Sequence, residues 1–218
     1  TTGTLTATYD SPSNNFATMN PLDNYFPGVT FTNGNNTLLT ATTAYAPATA
    51  TMWLTSGKWY WESRYDGNSG SDWLSGLVGK IATSAATSLG QMGAESYGYI
   101  QSGGVVHNSS TTSSGYDSLS SGTGILGVYL DLDNSKLYFG VDGVVQNSGT
   151  GIDLVALSTL TMGAWSPAFG DGGSGTATSS FNFGNGYFGT TAVTSAVADA
   201  GGIGAFEYDP SAGTFDSA

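Results

Sequence analysis

Apolar and aromatic residues fall in short runs along the chain, and clusters of Gly, Asn, Ser and Asp separate them. That texture predicts many short strands joined by tight turns. The clearest strand is KWYWESRY, residues 58–65. Trp59, Trp61, Ser63 and Tyr65 alternate to one side, and Lys58, Tyr60, Glu62 and Arg64 to the other. Tyr60 among charged residues marks a face that is only partly wet, and the spacing of Glu62 and Arg64 allows a local ion pair. In residues 124–146, Leu126, Val128, Leu130 and Leu132 alternate up to the turn Asp133-Asn134-Ser135. Leu137, Phe139 and Val141 then alternate up to Asp142-Gly143, and Val144-Val145 follows. This predicts a three-stranded meander.

A further strand pair is expected at residues 164–169 and 179–183, with DGGSGT at 171–176 as its loop. Two stretches read as long surface loops, DGNSGSD at 66–72 and NSSTTSSGYDSLSS at 108–121; in the second, Tyr116 and Leu119 are the only sizeable apolar residues. Such loops carry recognition in many sandwiches, and they can equally be solvated connectors. Residues 190–200 offer one short helix, with Val193, Val197 and Ala200 on a face and Gly201-Gly202 as its stop, although β-branched residues weaken it. No fixed period announces a solenoid or propeller.

Composition narrows the function. The chain has 218 residues, 39% hydrophobic and 12% aromatic, enough for one full-sized core, so a single domain over 1–218 is expected. Only 9% are charged, so Ser, Thr, Asn and Gly must supply most of the polar surface. Net charge is -12, and Lys58, Lys80, Lys136 and Arg64 are the whole basic complement. Phosphate backbones need more cations than that, which argues against nucleic acid and against anionic membrane surfaces. Cysteine is absent, which excludes disulfides and thiolate chemistry. No apolar run is long enough for a membrane span, and no secretory leader pattern opens the chain. A first residue Thr1 fits a removed Met, a cleaved leader or an excerpt of a longer protein.

Four blocks resemble SPRY (B30.2-like) domains. Ser56-Gly57-Lys58-Trp59-Tyr60-Trp61-Glu62 resembles the SGKWYWE strand. Gly127-Val128-Tyr129-Leu130-Asp131-Leu132-Asp133-Asn134 with Lys136-Leu137-Tyr138-Phe139 resembles the G-V-x-L-D-x-D-N-x-K-L-x-F hairpin, and Asp142-Gly143 the N-G turn after it. Trp165-Ser166-Pro167-Ala168-Phe169 resembles the Y-P-A strand, with Ser166 in place of the aromatic, and Phe181-Asn182-Phe183-Gly184 the closing x-N-F-G. The blocks keep the family's order over about 56–184, with 1–55 and 185–218 as flanking strands and tails; residues 81–121 match poorly. The resemblance implies an all-β, concanavalin-like sandwich of two antiparallel sheets with little helix, a binding module without catalytic apparatus whose end loops touch the partner. The flanks resemble modules of marine bacteriophage virion proteins: Asn15-Phe16-Ala17-Thr18-Met19-Asn20-Pro21-Leu22-Asp23 the F-A-T-x-N-P-L-D opening, and Phe206-Glu207-Tyr208-Asp209-Pro210-Ser211-Ala212-Gly213 the F-x-Y-x-P-P-x-G tail, with Ser211 replacing the second Pro.

Other chemistry finds few parts. His107 is the sole histidine, and no G-x-S-x-G elbow accompanies it. Glycoside hydrolysis on a concanavalin-like frame needs two acids in one groove, but the glutamates are only Glu62, Glu95 and Glu207. Asp131, Asp133 and Asn134 could ligate a hard cation, or serve simply as turn chemistry. Asn35 and Asn108 head glycosylation sequons that matter only in a eukaryotic secretory host. Trp73 follows a polar stretch and reads either as an exposed contact or as a lid on the core. Candidate contact residues are Asp72, Trp73, Tyr97, Tyr99, His107, Asn108 and Tyr116. The expectation is a non-enzymatic module on a virion surface or otherwise extracellular. It needs no cofactor and is expected to form homo-oligomers. It recognises host-surface glycan or protein, or docks to other virion subunits. A glycan-active hydrolase and a purely architectural coat or filament subunit are the alternatives.

Overall fold

The computed structural model describes residues 15–210 and the backbone of residues 216–217. Strands are numbered in chain order. The first sheet runs β1 (Thr30–Thr32), β2 (Thr37–Leu39), β14 (Thr176–Asn182), β4 (Lys58–Ser69), β9 (Ile125–Asp131), β10 (Lys136–Val141) and β11 (Val144–Val145). Beside β10 lies β12 (Ile152–Asp153), and beside β4 lies β17 (Asp216–Ser217). The second sheet runs β3 (Ala48–Thr49), β13 (Ser166–Asp171), β5 (Trp73–Val78), β6 (Ser96–Ile100), β7 (Val105–His107) and β8 (Ser110–Thr112). It ends on β8, all three of whose residues are exposed. A small ribbon pairs β15 (Tyr187–Phe188) with β16 (Thr191–Ala192). These pairings are antiparallel except β17 on β4. Among the described residues helix is confined to three single 3-10 turns, and none is long and apolar enough to cross a membrane.

Turn chemistry sets the hairpins. Asp142 and Gly143 both have positive φ, and so do Asn108 and Ser109, so β10–β11 and β7–β8 each turn in two left-handed residues. Between β9 and β10 the Asp131 carboxylate accepts the backbone N–H and side-chain amide of Asn134 at 3.0 and 2.8 Å, closing the loop.

Alternation then builds the core. From the first sheet Trp61, Tyr65, Leu126, Val128, Leu130, Leu137, Phe139 and Phe181 point inward; from the second Trp73, Leu77, Tyr97, Tyr99 and Phe169 meet them. Tyr99 packs on Phe139 at 5.2 Å and Phe169 on Phe181 at 5.8 Å, ring to ring, and the hydroxyls of Ser63 and Ser75 bridge the layers at 2.8 Å. Burying side chains of this size stabilises by about 1.5–3 kcal/mol each.

Part of each outer face is also covered. Over the second sheet, Leu74, Val78, Val106 and Ala168 pack under Ala46, Ala82, Leu89 and Met92. Over the first, Phe206 packs on Tyr60 and Tyr129.

Four local expectations are corrected. Residues 66–69 are not loop but the continuation of β4, with a bulge opposite Thr178 and Ser179; Gly67, at φ 146, supplies backbone that only glycine adopts easily. The strands at 166–171 and 176–182 exist but do not pair, because the loop after Asp171 carries the chain from one sheet to the other. Residues 190–200 form no helix: β16 takes Thr191–Ala192, and Val197 bridges to Phe206. Arg64 pairs with Asp66 at 2.6 Å rather than with Glu62, which lies fully buried. Ser211, Ala212 and Gly213 of the tail motif lie outside the described residues.

Candidate functional site

Antiparallel order brings six connections to one end of the sandwich: residues 40–47, 70–72, 101–104, 113–124, 142–143 and 172–175. Two glutamines brace them. The Gln101 side chain accepts the backbone N–H of Trp73 at 2.7 Å and donates to Asp72 at 3.1 Å, while its backbone carbonyl accepts Leu119 N–H at 2.8 Å. Gln146 accepts Asp117 N–H at 2.8 Å and donates to the Val144 carbonyl at 2.8 Å. A primary amide donates and accepts at once, so one side chain can tie two segments. Tyr99 donates its hydroxyl to the Asp117 carbonyl at 2.6 Å, and Leu119 is buried in the core. Tyr116, half-buried, meets Tyr99 edge-on at 5.9 Å. The expected loop 108–121 is corrected in its first half, where Asn108-Ser109 turn the β7–β8 hairpin and Ser110–Thr112 are strand; its second half is pinned, and Asp117 and Ser118 stand exposed on a fixed frame.

The candidate contact residues do not converge. Asp72 and Tyr116 lie at the braced end. His107 and Asn108 lie at the opposite end, because β7 runs away from it. Trp73, Tyr97 and Tyr99 are corrected: they are 0%, 1% and 0% exposed and belong to the core. Alternation along β5 and β6 turns them inward, and the polar stretch before Trp73 is mostly strand. His107 stacks on Tyr97 with ring centroids 4.0 Å apart and donates from Nδ1 to the Ser96 carbonyl at 3.0 Å. Asn108 is exposed and serves the two-residue turn. Gln101 and Gln146, which the sequence reading passed over, carry the site's rigidity; each follows a strand and precedes turn residues.

The possible cation ligands are occupied. Burial raises the Asp131 carboxyl, but Asn134 and Lys58, the latter at 3.0 Å, outweigh it and hold the group below its ordinary value. Asp133 accepts Gly57 N–H at 2.9 Å. Among the described residues no group of three or more acidic or His side chains gathers around a point. Nor do the glutamates share a groove: Glu95 binds Thr161, Glu207 accepts Thr194 N–H, and Glu62 lies under residues 205–208. Asp171, also buried, has no hydrogen bond of full geometry; burial pushes it up to about 6 against the opposing influence of Thr40, Gly173 and Ser71. All four basic side chains are ion-paired, Lys58 with Asp131, Arg64 with Asp66, Lys80 with Glu95 and Lys136 with Asp153.

No family model matches the chain, and no curated protein does. Solved structures do. The stonustoxin structure aligns with TM-score 0.52 and 22% identity over 76% of this chain, and the match spans only 27% of that chain. The SPRY domain of human HERC1 aligns with TM-score 0.49 and 13% identity over 67% of this chain and 87% of its own. The sequence blocks occupy β4, the β9–β10 hairpin, β13 and the end of β14. The fold is an all-β sandwich of antiparallel sheets, similar to part of the stonustoxin structure.

Proposed function

We propose that this chain is a non-catalytic recognition module that binds its partner through the braced end of the sandwich. The observation that carries the reading is that the end loops are held by Gln101 and Gln146, while the chain's own segments cover part of each outer sheet face. Loops ordered before contact lose little entropy on binding. The neutralised cations leave no basic patch for phosphate among the described residues, so the partner is a protein or a glycan and not nucleic acid.

The opening and tail motifs support a place on a virion surface, where the partner is another virion subunit or a host-surface protein or glycan. Ala17 and Met19 of the opening motif enter the core, and Phe206 of the tail motif covers the first sheet, so both motifs are parts of the fold. The test is mass spectrometry of purified particles with limited surface proteolysis. Particle-borne peptides from this chain, with the 113–124 loop cleaved first, support the reading; absence from particles removes the virion assignment. Loss of partner capture on Asp117→Arg at unchanged melting temperature supports the braced end as the contact; undiminished capture removes it.

A further inference from the structure

Residues 205–206 are tied to Gly184 and Val197 by backbone hydrogen bonds, and residues 207–208 are held over the first sheet by one buried side chain. The Glu62 carboxylate accepts the backbone N–H of Glu207 at 3.0 Å and of Tyr208 at 2.9 Å, the Asn182 amide at 3.0 Å and the Tyr60 hydroxyl at 3.0 Å. Asn182 also donates to the Ala205 carbonyl at 2.8 Å, so β4 and β14 grip the same short segment. Phe206 completes the seal, its ring 4.8 Å from that of Tyr60, which in turn lies 4.6 Å from Tyr129. Beneath the segment, the missing side chains of Gly127 and Gly140 leave room for Tyr60 and Tyr129.

We propose that this C-terminal segment is a proton-coupled cover: it closes over Glu62 with uptake of a proton and loosens as the medium turns alkaline. The titratable and polar groups facing Glu62 are Tyr60 on its own strand, Tyr129 on β9 and Tyr208 on the cover, with neutral Asn182 on β14. Glu207 turns its own carboxylate to Thr194 N–H, and Arg64, two residues along β4, is engaged by Asp66. Among the described residues Glu62 makes no ion pair, so nothing but hydrogen bonds offsets the removal of its charge from water. Closure is what removes that water, because Phe206, Glu207 and Tyr208 are the segment's contribution to its burial. Desolvation outweighs the four donors and raises the group from 4.5 to about 7. Opening returns it toward its ordinary value. The open state therefore sheds a proton between those limits and gains population as pH rises. When Glu62 is protonated, the Tyr60 hydroxyl turns from donor to acceptor of the carboxylic O–H, while the Glu207 and Tyr208 N–H groups and the Asn182 amide still donate to the carboxyl oxygens.

The test is amide exchange of Glu207 and Tyr208 in the intact chain, corrected for intrinsic rates, from pH 5 to pH 8.5. The expected result is protection that falls at least tenfold across that range in the wild type and stays level in Glu62→Gln, while amides of β9 keep theirs in both. Carbon NMR of the Glu62 carboxyl in Phe206→Ala supplies the second arm: its titration moves down toward 4.5 as the cover is loosened. Level wild-type protection, a slope of opposite sign, the same slope in Glu62→Gln, or an unmoved Glu62 titration in Phe206→Ala would each overturn the proposal.

Discussion

The backbone N–H of Tyr208 donates to the carboxylate of Glu62 at 2.9 Å, across 146 positions of sequence. That contact explains how a strand whose outer face alternates Lys58, Tyr60, Glu62 and Arg64 can have two of those residues fully buried. The removal of Glu62 is accordingly a structural lesion. Glu62→Ala removes the acceptor of the Glu207 and Tyr208 N–H groups and of the Tyr60 hydroxyl, leaving Asn182 only the Ala205 carbonyl, and a loss of about 3 kcal/mol is expected. Urea denaturation measures it; a loss under 1 kcal/mol would show that water can replace the carboxylate.

Stability should fall on going from mildly acid to mildly alkaline medium. Burial raises Glu62 from 4.5 to about 7 and Asp171 from 3.8 to about 6. Between those values the folded chain holds protons that the unfolded chain releases. The contribution is complete below the unfolded values and is lost as pH rises through the folded ones. Asp131, held below its ordinary value, works the other way but only in stronger acid. At constant ionic strength the melting temperature is expected to be at least about 4 °C higher at pH 5 than at pH 8, with the difference reduced in Glu62→Gln. Equal melting temperatures at the two pH values would contradict both assignments.

Much of the sandwich was legible because period two is a local signal. Trp61, Ser63 and Tyr65 face the core as their alternation requires, and the meander of β9, β10 and β11 lies where its turn residues put it. What escaped was long-range. Nothing near Trp73 says that Asp66–Ser69 will pair with β14, since the partner is more than a hundred residues away and Gly67 looks like a turn residue until a bulge needs it. The candidate site failed for a similar reason. Tyr97 and Tyr99 look like contact residues in sequence, but a strand buried on both faces hides every aromatic it carries.

Trp73→Ala tests that last point. Its indole is wholly buried between Tyr65 and Phe169, so a loss of about 3–5 kcal/mol is expected with no gain or loss of partner specificity in the fraction that remains folded. Unchanged stability with lost binding would return Trp73 to the contact surface.

The hairpin at Asn108-Ser109 predicts a stabilising change. Ser109 sits at φ 62, where a side chain is strained, and Asn-Gly is the pair this turn prefers. Ser109→Gly is expected to stabilise by about 0.5–1 kcal/mol in thermal denaturation. Destabilisation would mean that the Ser109 side chain carries a contact worth more than the strain.

Glycines divide into two kinds that one pair of variants separates. A Cβ at Gly76 would run into the carbonyl oxygen of Tyr97, whereas one at Gly34, at φ 67, meets nothing. Gly76→Ala should cost about 3 kcal/mol or more, and Gly34→Ala only about 1 kcal/mol from backbone conformation. Similar costs at the two sites would show that β5 and β6 can part without penalty.

The last strand of the second sheet, Ser110–Thr112, is three residues long and wet on every one. A border so brief and so rich in hydroxyls offers a neighbouring molecule too few main-chain bonds to zip onto, and none of the oily side chains that would hold such a seam together. Crowded copies of this chain are thereby discouraged from knitting into fibrils through that margin.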